Sequence, residues 1–101
     1  MKIVMQFVFV LGVCLLAVRP ALAADPQQGR QIYELHCEAC HGVEGDSIDP
    51  GTPRFAGGDS LFLMDQDLLR QIREGKNTMP AYRGLLSDEE IRDVIAYLRT
   101  L

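Results

Sequence analysis

Two cysteines and a histidine lie close together in the stretch LHCEACHGVEG, residues 35–45. Cys37 and Cys40 are separated by two residues, and His41 follows the second cysteine directly. Thiolates and imidazoles bind metals such as zinc, and a C-x-x-C pair also supports redox chemistry. Three kinds of site therefore compete for these residues: a zinc site, a thioredoxin-like dithiol and an attachment site for haem.

The surrounding sequence favours haem. A structural zinc site needs a fourth ligand, and the remaining candidate, His36, is adjacent to Cys37 and poorly placed to complete a tetrahedron. A thioredoxin-like pair follows a strand, whereas this pair follows a predicted helix. C-x-x-C-H is the signature of covalent haem attachment. Cys37 and Cys40 would each join one vinyl group of a single haem c, with His41 beneath the iron as proximal ligand.

A sixth iron ligand is sought among the methionines, because haem used for electron transfer often takes Met opposite His. Met64 lies in an apolar run, LFLM, where core packing is the ordinary role. Met79 precedes Pro80, which lacks an amide proton and restricts Met79 to an extended conformation. A rigid loop of this kind suits a metal ligand, so we predict that His41 and Met79 hold the iron. His36 is the third candidate.

The N-terminal segment has the pattern of a secretory signal peptide. Lys2 precedes an apolar run over residues 3–18, and Ala21 and Ala23 form an A-x-A cleavage signal. The run is shorter than the roughly 18–20 residues of a spanning helix, although an uncleaved membrane anchor is the alternative. We predict a signal peptide over residues 1–23 and a domain over residues 24–101, located in the periplasm and not inserted in a membrane after cleavage.

Charge and size restrict the functions of the predicted domain. Without Lys2 and Arg19 it holds eight basic and fourteen acidic residues, a net charge of −6 with neutral histidines. Such a surface repels nucleic acid and anionic membrane and favours partners that carry a basic patch. Its 78 residues are few for a self-sufficient core, so a cofactor inside the fold is expected.

Three helices are predicted, and no alternating strand pattern is found in the sequence. The first begins after the cap Asp25 with Pro26 and runs to about Cys37. The second buries Leu68, Leu69 and Ile72 and stops at Gly75. Its start has two candidates: we prefer Asp65 as the cap, with residues 61–64 as a covering loop, but apolar residues at helical spacing also allow a start at Ser60.

The third helix begins with a capping box, Ser87 and Glu90, and presents an apolar face made of Ile91, Val94, Ile95 and Leu98. The Gly- and Pro-rich stretch between the first two helices is long for so small a domain, which indicates that it wraps around a ligand. The fold class is therefore all-α, with loops around one covalently attached haem.

Together these residues resemble the bacterial class I monohaem c-type cytochromes, over nearly all of residues 24–101. The resemblance rests on CEACH, on MPAY and on the first-helix pair Gly29 and Tyr33, where the glycine would admit a close crossing by the last helix near Tyr97. PRFAG and LSDEEIRDVIAYLRTL are also similar to family segments. The resemblance implies the small class I cytochrome c fold.

The resemblance also implies roles for three further residues. Pro53 is similar to the family proline whose carbonyl accepts the proton of the proximal histidine, and Phe55 would pack against the haem. Tyr82 either covers the haem or is an ordinary core aromatic. Many relatives carry lysines around the haem edge, whereas this chain is acidic, so the partner is left open.

The predicted function is electron transfer by a monomeric periplasmic carrier that shuttles one electron between redox partners and is not an enzyme. One alternative is a haem sensor or peroxidase-like enzyme whose sixth ligand is open or displaceable. Another is a fixed cytochrome subunit of a periplasmic oxidoreductase. The sensor or enzyme hypothesis differs from the carrier in that Met79 does not stay bound to the iron. The subunit hypothesis differs from it in that the partner is permanent.

Overall fold

The structure is a computed structural model that describes residues 23–101. All of the predicted signal peptide except Ala23 lies outside these residues. Within these residues there are four α-helices: α1, Pro26–His36; α2, Glu38–His41; α3, Asp65–Glu74; and α4, Asp88–Leu98. Two 3-10 turns, Val43–Gly45 and Phe55–Gly57, lie between α2 and α3. The all-α prediction is confirmed, and the short helix α2 is added to the three that were predicted.

Helix α1 begins as the sequence predicts. The Asp25 carboxylate accepts a hydrogen bond from the Gln27 amide at 3.0 Å, and Pro26 is the first helical residue. The helix ends at its C-cap Cys37, whose amide donates to the Tyr33 carbonyl at 2.8 Å. The motif therefore starts where the polar helix ends.

Helix α3 begins one residue away from the prediction. Asp65 is its first helical residue, and the N-cap is Met64. Asp65 was predicted as the cap, but its carboxylate is bonded to the Arg99 guanidinium at 2.8 Å instead. The helix buries Leu68, Leu69 and Ile72 as expected and ends at Gly75, which adopts φ = 78°.

Helix α4 has the predicted capping box. The Ser87 hydroxyl accepts from the Glu90 amide at 3.1 Å, and the Glu90 carboxylate accepts from the Ser87 amide at 3.0 Å. Its buried face consists of Ile91, Val94, Ile95, Tyr97 and Leu98. These residues form the largest part of the core.

Helices α1 and α4 cross at Gly29, as the resemblance implied. A Cβ atom at Gly29 would overlap the Asp93 carbonyl group and would lie 2.8 Å from the Val94 nitrogen. Only glycine admits this approach of two backbones. Next to the crossing, the rings of Tyr33 and Tyr97 pack at a centroid distance of 5.3 Å.

Residues 61–65 are fastened to the end of α4. The Arg99 guanidinium donates to the carbonyls of Leu61 and Leu63 and to the Asp65 carboxylate. Leu61 and Leu63 are half-buried and pack against the core, as expected of the predicted covering loop. Within residues 23–101, no helix has both the length and the apolar character needed to cross a bilayer.

Candidate functional site

Cys37 and Cys40 lie on one turn of helix. Cys37 ends α1 and starts α2, and its carbonyl accepts from the amides of Cys40 at 3.2 Å and His41 at 2.9 Å. Residues three apart on a helix share a face, so both thiols point to one side. Both cysteines are free; Cys37 is half-buried and Cys40 is exposed. Burial raises the pKa of the Cys37 thiol to about 11.

His41 is held by its ring. The side chain is only 8% exposed, and its Nδ1 atom lies 3.2 Å from the Pro53 carbonyl oxygen. Because a carbonyl oxygen accepts but does not donate, Nδ1 carries the proton of this bond and Nε2 keeps a free lone pair. The ring also stacks on Phe55, with centroids 4.6 Å apart and planes inclined by 24°. One nitrogen is thus oriented for a metal.

The segment that supplies Pro53 and Phe55 is itself braced. The Arg54 amide donates to the Asp59 carboxylate at 2.9 Å, and the Arg54 guanidinium pairs with Asp46 at 2.7 Å. The 3-10 turn that begins at Phe55 follows at once. Exposed ion pairs contribute little stability, but together these bonds fix the path of the backbone on both sides of Arg54.

The turn after His41 is bridged by a buried hydroxyl. Tyr33, which is fully buried, donates to the Gly42 carbonyl at 2.5 Å and accepts from the Gly45 amide at 3.0 Å. Burial raises the pKa of this hydroxyl to about 12. The sequence identified Tyr33 only as a packing aromatic, and nothing in its spacing indicates the two hydrogen bonds.

Met79 lies in a tight loop after α3. Its amide donates to the Lys76 carbonyl at 2.9 Å, and the Lys76 amide donates to the Met79 carbonyl at 3.1 Å. The loop closes on Gly75, where a Cβ atom would lie 2.7 Å from the Met79 carbonyl oxygen. The Met79 side chain is half-buried against the core.

Tyr82 joins the Met79 loop to the cysteine motif. Its hydroxyl donates to the His36 carbonyl at 2.8 Å, and its ring lies edge-on to the His36 ring at 6.2 Å. The Tyr82 amide donates to the Ile72 carbonyl of α3 at 3.1 Å. His36 immediately precedes Cys37, so this tyrosine connects the two segments on which the predicted site residues lie.

Comparisons with known proteins identify the family. Residues 24–98 match the model of the family described as cytochrome C oxidase, cbb3-type, subunit III. Cytochrome c6 of Thermosynechococcus vestitus is 33% identical over 97 residues, which cover 87% of each chain. The chain belongs to the monohaem class I c-type cytochromes.

Further relatives agree on this family. Cytochrome c4 of Pseudomonas aeruginosa is 33% identical over 99 residues, or 95% of this chain and 46% of that protein, so this chain spans about half of it. The solved structure of cytochrome c6 from the diatom Phaeodactylum tricornutum has a TM-score of 0.59 and 33% identity, and the match covers 76% of this chain and 93% of the diatom chain. The fold is that of cytochrome c6.

The residues of this cytochrome fit its cofactor, a single haem c linked through the pair Cys37 and Cys40. Two thiols one helical turn apart lie next to His41, whose free Nε2 suits an iron atom. Cys37 and the half-buried side chains of Leu61, Leu63, Met79 and Tyr82 pack against the same core. Within residues 23–101, no three His, Cys, Asp or Glu side chains converge on a common metal position.

The two methionine candidates lie in different surroundings in the cytochrome. Met64, the N-cap of α3, is 71% exposed, whereas Met79 packs against the core. His36, the third candidate, is half-buried with its ring against Tyr82. Met79 is thus the methionine whose loop is tied, through Tyr82, to the haem-binding motif.

Proposed function

We propose that this cytochrome is a periplasmic one-electron carrier whose haem iron is held by His41 and Met79. That the protein is a cytochrome c electron carrier follows from its family; the axial ligands and the location are proposed. The observation that supports the ligand pair most directly is the bond from the Tyr82 hydroxyl to the His36 carbonyl, 2.8 Å long. It holds the Met79 loop against the residue that precedes the haem-binding cysteines.

The haem, when bound, supplies an iron that gains and loses one electron. The chain keeps its ligands in place during this change. His41 is fixed by Pro53 and Phe55, so its Nε2 keeps one direction. Donation from Nδ1 to a carbonyl raises the basicity of an imidazole ligand. Met79 offers a neutral thioether, which raises the reduction potential relative to a second imidazole.

The relatives of this chain are electron-carrier cytochromes, which are typically not enzymes. We assign the same character to this protein, because the proposed ligands His41 and Met79 would together leave the iron no free site for a substrate. Covalent attachment and fixed ligands leave little to rearrange when the electron arrives. The haem sensor or peroxidase-like reading would require Met79 to leave the iron readily, and it becomes an outcome of the test below.

The proposed redox partner carries a basic docking patch. Residues 24–101 have a net charge of −6, and exposed acidic side chains such as Glu34, Glu44 and Asp46 lie in or near the segments around the cysteine motif. Opposite charges accelerate encounter between two proteins, and salt screens them. We therefore expect a monomer whose rate of association with its partner falls as ionic strength rises.

The proposed location rests on the sequence. A signal peptide over residues 1–23, with cleavage after Ala23, would deliver the domain of residues 24–101 to the periplasm. Mass spectrometry of the protein purified from that compartment should give Ala24 as the first residue. A chain that keeps its first 23 residues would show that the segment serves as an anchor.

The test of the ligand pair is the absorption spectrum of the oxidised protein, produced in a host that attaches haem. Sulfur-to-iron ligation gives a weak far-red band, and the proposal requires that band. The reduced protein should also fail to bind carbon monoxide at neutral pH. If haem is attached, the band is missing and carbon monoxide binds, the sensor or enzyme reading replaces the carrier.

A second candidate is a fixed subunit of an oxidoreductase. It is favoured by the description of the matching family model, which names a subunit of a cytochrome oxidase. The chemistry at the haem would be unchanged, but the partner would be permanent. Co-purification with a defined partner through high salt would support the subunit, and reversible, salt-sensitive association would support the free carrier.

A further inference from the structure

The Tyr33 hydroxyl has the geometry of a brace. Tyr33 belongs to α1 and its ring packs on Tyr97 of α4, so it is rooted in the helix crossing. From there its hydroxyl reaches across nine residues to the Gly42 carbonyl and twelve residues to the Gly45 amide. The hydroxyl thus both donates a hydrogen bond to the turn that follows His41 and accepts one from it.

The first connection to His41 is through the backbone. Gly42 is covalently attached to His41 and adopts φ = 83°, a conformation that lets the chain turn sharply out of α2. Its carbonyl accepts from both the Tyr33 hydroxyl and the Gly45 amide. Glu44 and Gly45 also have positive φ, at 53° and 72°. The turn has two backbone bonds of its own, from the Gly45 amide to the Gly42 carbonyl and from the Asp46 amide to the Val43 carbonyl, and the Tyr33 hydroxyl adds two more.

The second connection to His41 is through packing. A Cβ atom at Gly45 would lie 2.9 Å from the Phe55 Cβ atom, so the Gly45 backbone is in close contact with Phe55. Phe55 in turn stacks on the His41 ring at 4.6 Å. The Tyr33 hydroxyl therefore reaches the imidazole by two independent routes, one at its backbone and one at its ring face.

We propose that Tyr33 is a positioning residue for His41: its hydroxyl fixes the turn of residues 42–45 and thereby the orientation of the imidazole and its bond to the Pro53 carbonyl. This inference rests on the proposed ligation of the haem iron by His41. It assigns a role in tuning the iron to a hydroxyl whose hydrogen bonds go to Gly42 and Gly45 and not to His41 or Pro53.

The test compares Tyr33→Phe with Tyr97→Phe in the haem-containing protein. Both changes remove one phenolic oxygen from the same ring pair. The Tyr97 hydroxyl makes no hydrogen bond within residues 23–101, so its loss controls for removal of a hydroxyl and for ring packing. NMR of the reduced, diamagnetic protein gives exchange rates for the Gly45 amide and the His41 Nδ1 proton, with the Ile72 amide of α3 as reference.

We expect Tyr33→Phe to accelerate exchange of the Gly45 amide by up to about tenfold relative to Ile72, because this amide loses one hydrogen bond and keeps the one to the Gly42 carbonyl. Exchange of the His41 Nδ1 proton should accelerate by less, because its bond to Pro53 is weakened and not removed. The reduction potential should rise, because a weaker bond to Pro53 lowers the basicity of the imidazole and stabilises ferric iron less. Tyr97→Phe should change neither quantity. Equal acceleration at all three protons with an unchanged potential would show a merely structural role and overturn the inference.

Failure of the inference and failure of the ligation are distinguishable. A ligated His41 ring shows strongly upfield-shifted protons in the reduced protein, caused by the haem ring current. Shifted protons together with unchanged exchange would overturn the role of Tyr33 alone, whereas unshifted protons would overturn the ligation as well.

A measurement on the unmodified protein decides the case if Tyr33→Phe does not fold. The Tyr33 hydroxyl proton should appear as a slowly exchanging signal with a nuclear Overhauser effect to the Gly45 amide. If this hydroxyl proton exchanges as fast as that of Tyr97, the bridge does not exist in solution and the inference is wrong.

Discussion

His41 and Met79, the two proposed iron ligands, are held in place by different means. The His41 side chain is 8% exposed, bonded at Nδ1 to Pro53 and stacked on Phe55. Met79 is half-buried, and the bonds that fix it are those of its backbone with Lys76. One ligand is thus oriented at the side chain itself, and the other is carried by the shape of a loop.

The difference predicts which ligand is lost first. Moving the imidazole would break a hydrogen bond and a ring stack, whereas the thioether can swing on three rotatable bonds while its loop keeps its form. The loop is tied to the cysteine motif chiefly by the Tyr82 hydroxyl. We therefore expect exogenous ligands and mutations to act on the Met79 side before they affect His41.

The largest effect is expected from removing the covalent link itself. Replacing both Cys37 and Cys40 by alanine should leave little stable protein, because the cofactor forms part of a core that 78 residues do not complete alone. Circular dichroism and a pyridine haemochrome assay measure the loss. The control is Ala39→Ser, at an exposed position between the cysteines. A well-folded double variant without haem would show that the core does not depend on the cofactor and would contradict this prediction.

Met79→Ala should remove the Met79 ligand and leave His41 in place. Haem should stay covalently attached, the far-red band should vanish and the potential should fall, because the thioether no longer stabilises ferrous iron. The reduced variant should bind carbon monoxide stoichiometrically.

The matched control for that variant is Met64→Ala, because Met64 is 71% exposed. It should keep the band, the potential and the exclusion of carbon monoxide. If Met64→Ala loses the band and Met79→Ala keeps it, the iron ligand is Met64 and the proposal of Met79 is wrong.

Gly29→Ala should destabilise the crossing of α1 and α4, on which the His41 segment rests, without releasing Met79 from the iron. The added methyl group would collide with backbone atoms of Asp93 and Val94, so the helices must separate at a cost of about 3 kcal/mol, the upper end for overpacking. Denaturant unfolding of the haem-containing protein measures it.

A surface glycine controls for the change in chain entropy. At Gly51 a Cβ atom would meet nothing nearer than the Asp49 carboxylate at 3.8 Å, so Gly51→Ala should stay within about 0.5 kcal/mol of the parent. Carbon monoxide binding should be unaffected in both variants. A Gly29→Ala protein of unchanged stability would show that the crossing is looser in solution.

Tyr82→Phe should have the smallest effect on stability, about 1 kcal/mol, and act on the Met79 side alone. Loss of the bond to the His36 carbonyl loosens the loop, so the oxidised protein should bind added imidazole about fivefold more tightly. Spectrophotometric titration gives the affinity, with Tyr97→Phe as the control. An unchanged affinity would mean that backbone bonds suffice to hold Met79.

Local features of the fold were predictable from sequence. The Ser87 and Glu90 capping box lies within four residues of the chain, and the structure shows both of its hydrogen bonds. The Asp25 cap of α1 is equally local. The helix crossing at Gly29 was predicted through the family resemblance, because such a close crossing requires a residue without a side chain and the sequence shows a glycine there.

Apart from the bond between His41 and the Pro53 carbonyl, which the resemblance implied, long-range polar contacts were not predictable. Asp65 has the sequence of a cap, but its carboxylate is taken by Arg99, 34 residues away. The Tyr82 hydroxyl bonds to a carbonyl 46 residues away, and the two bonds of Tyr33 depend on the turn after α2. A hydroxyl has the same letter in the sequence whether it meets a carbonyl or water, so these partners emerge only when the helices are packed.

The Arg99 clamp has a consequence for the order in which the chain folds. It joins the carbonyls of Leu61 and Leu63 to a residue 38 and 36 positions later, so the covering loop gains these bonds only after the last helix has docked. Closing a loop of this length costs chain entropy. The crossing of α1 and α4 closes a longer loop still, but it repays that cost by burying apolar surface such as the rings of Tyr33 and Tyr97, whereas the bonds of Arg99 are exposed. We expect the crossing of α1 and α4 to assemble first and the covering loop to close last.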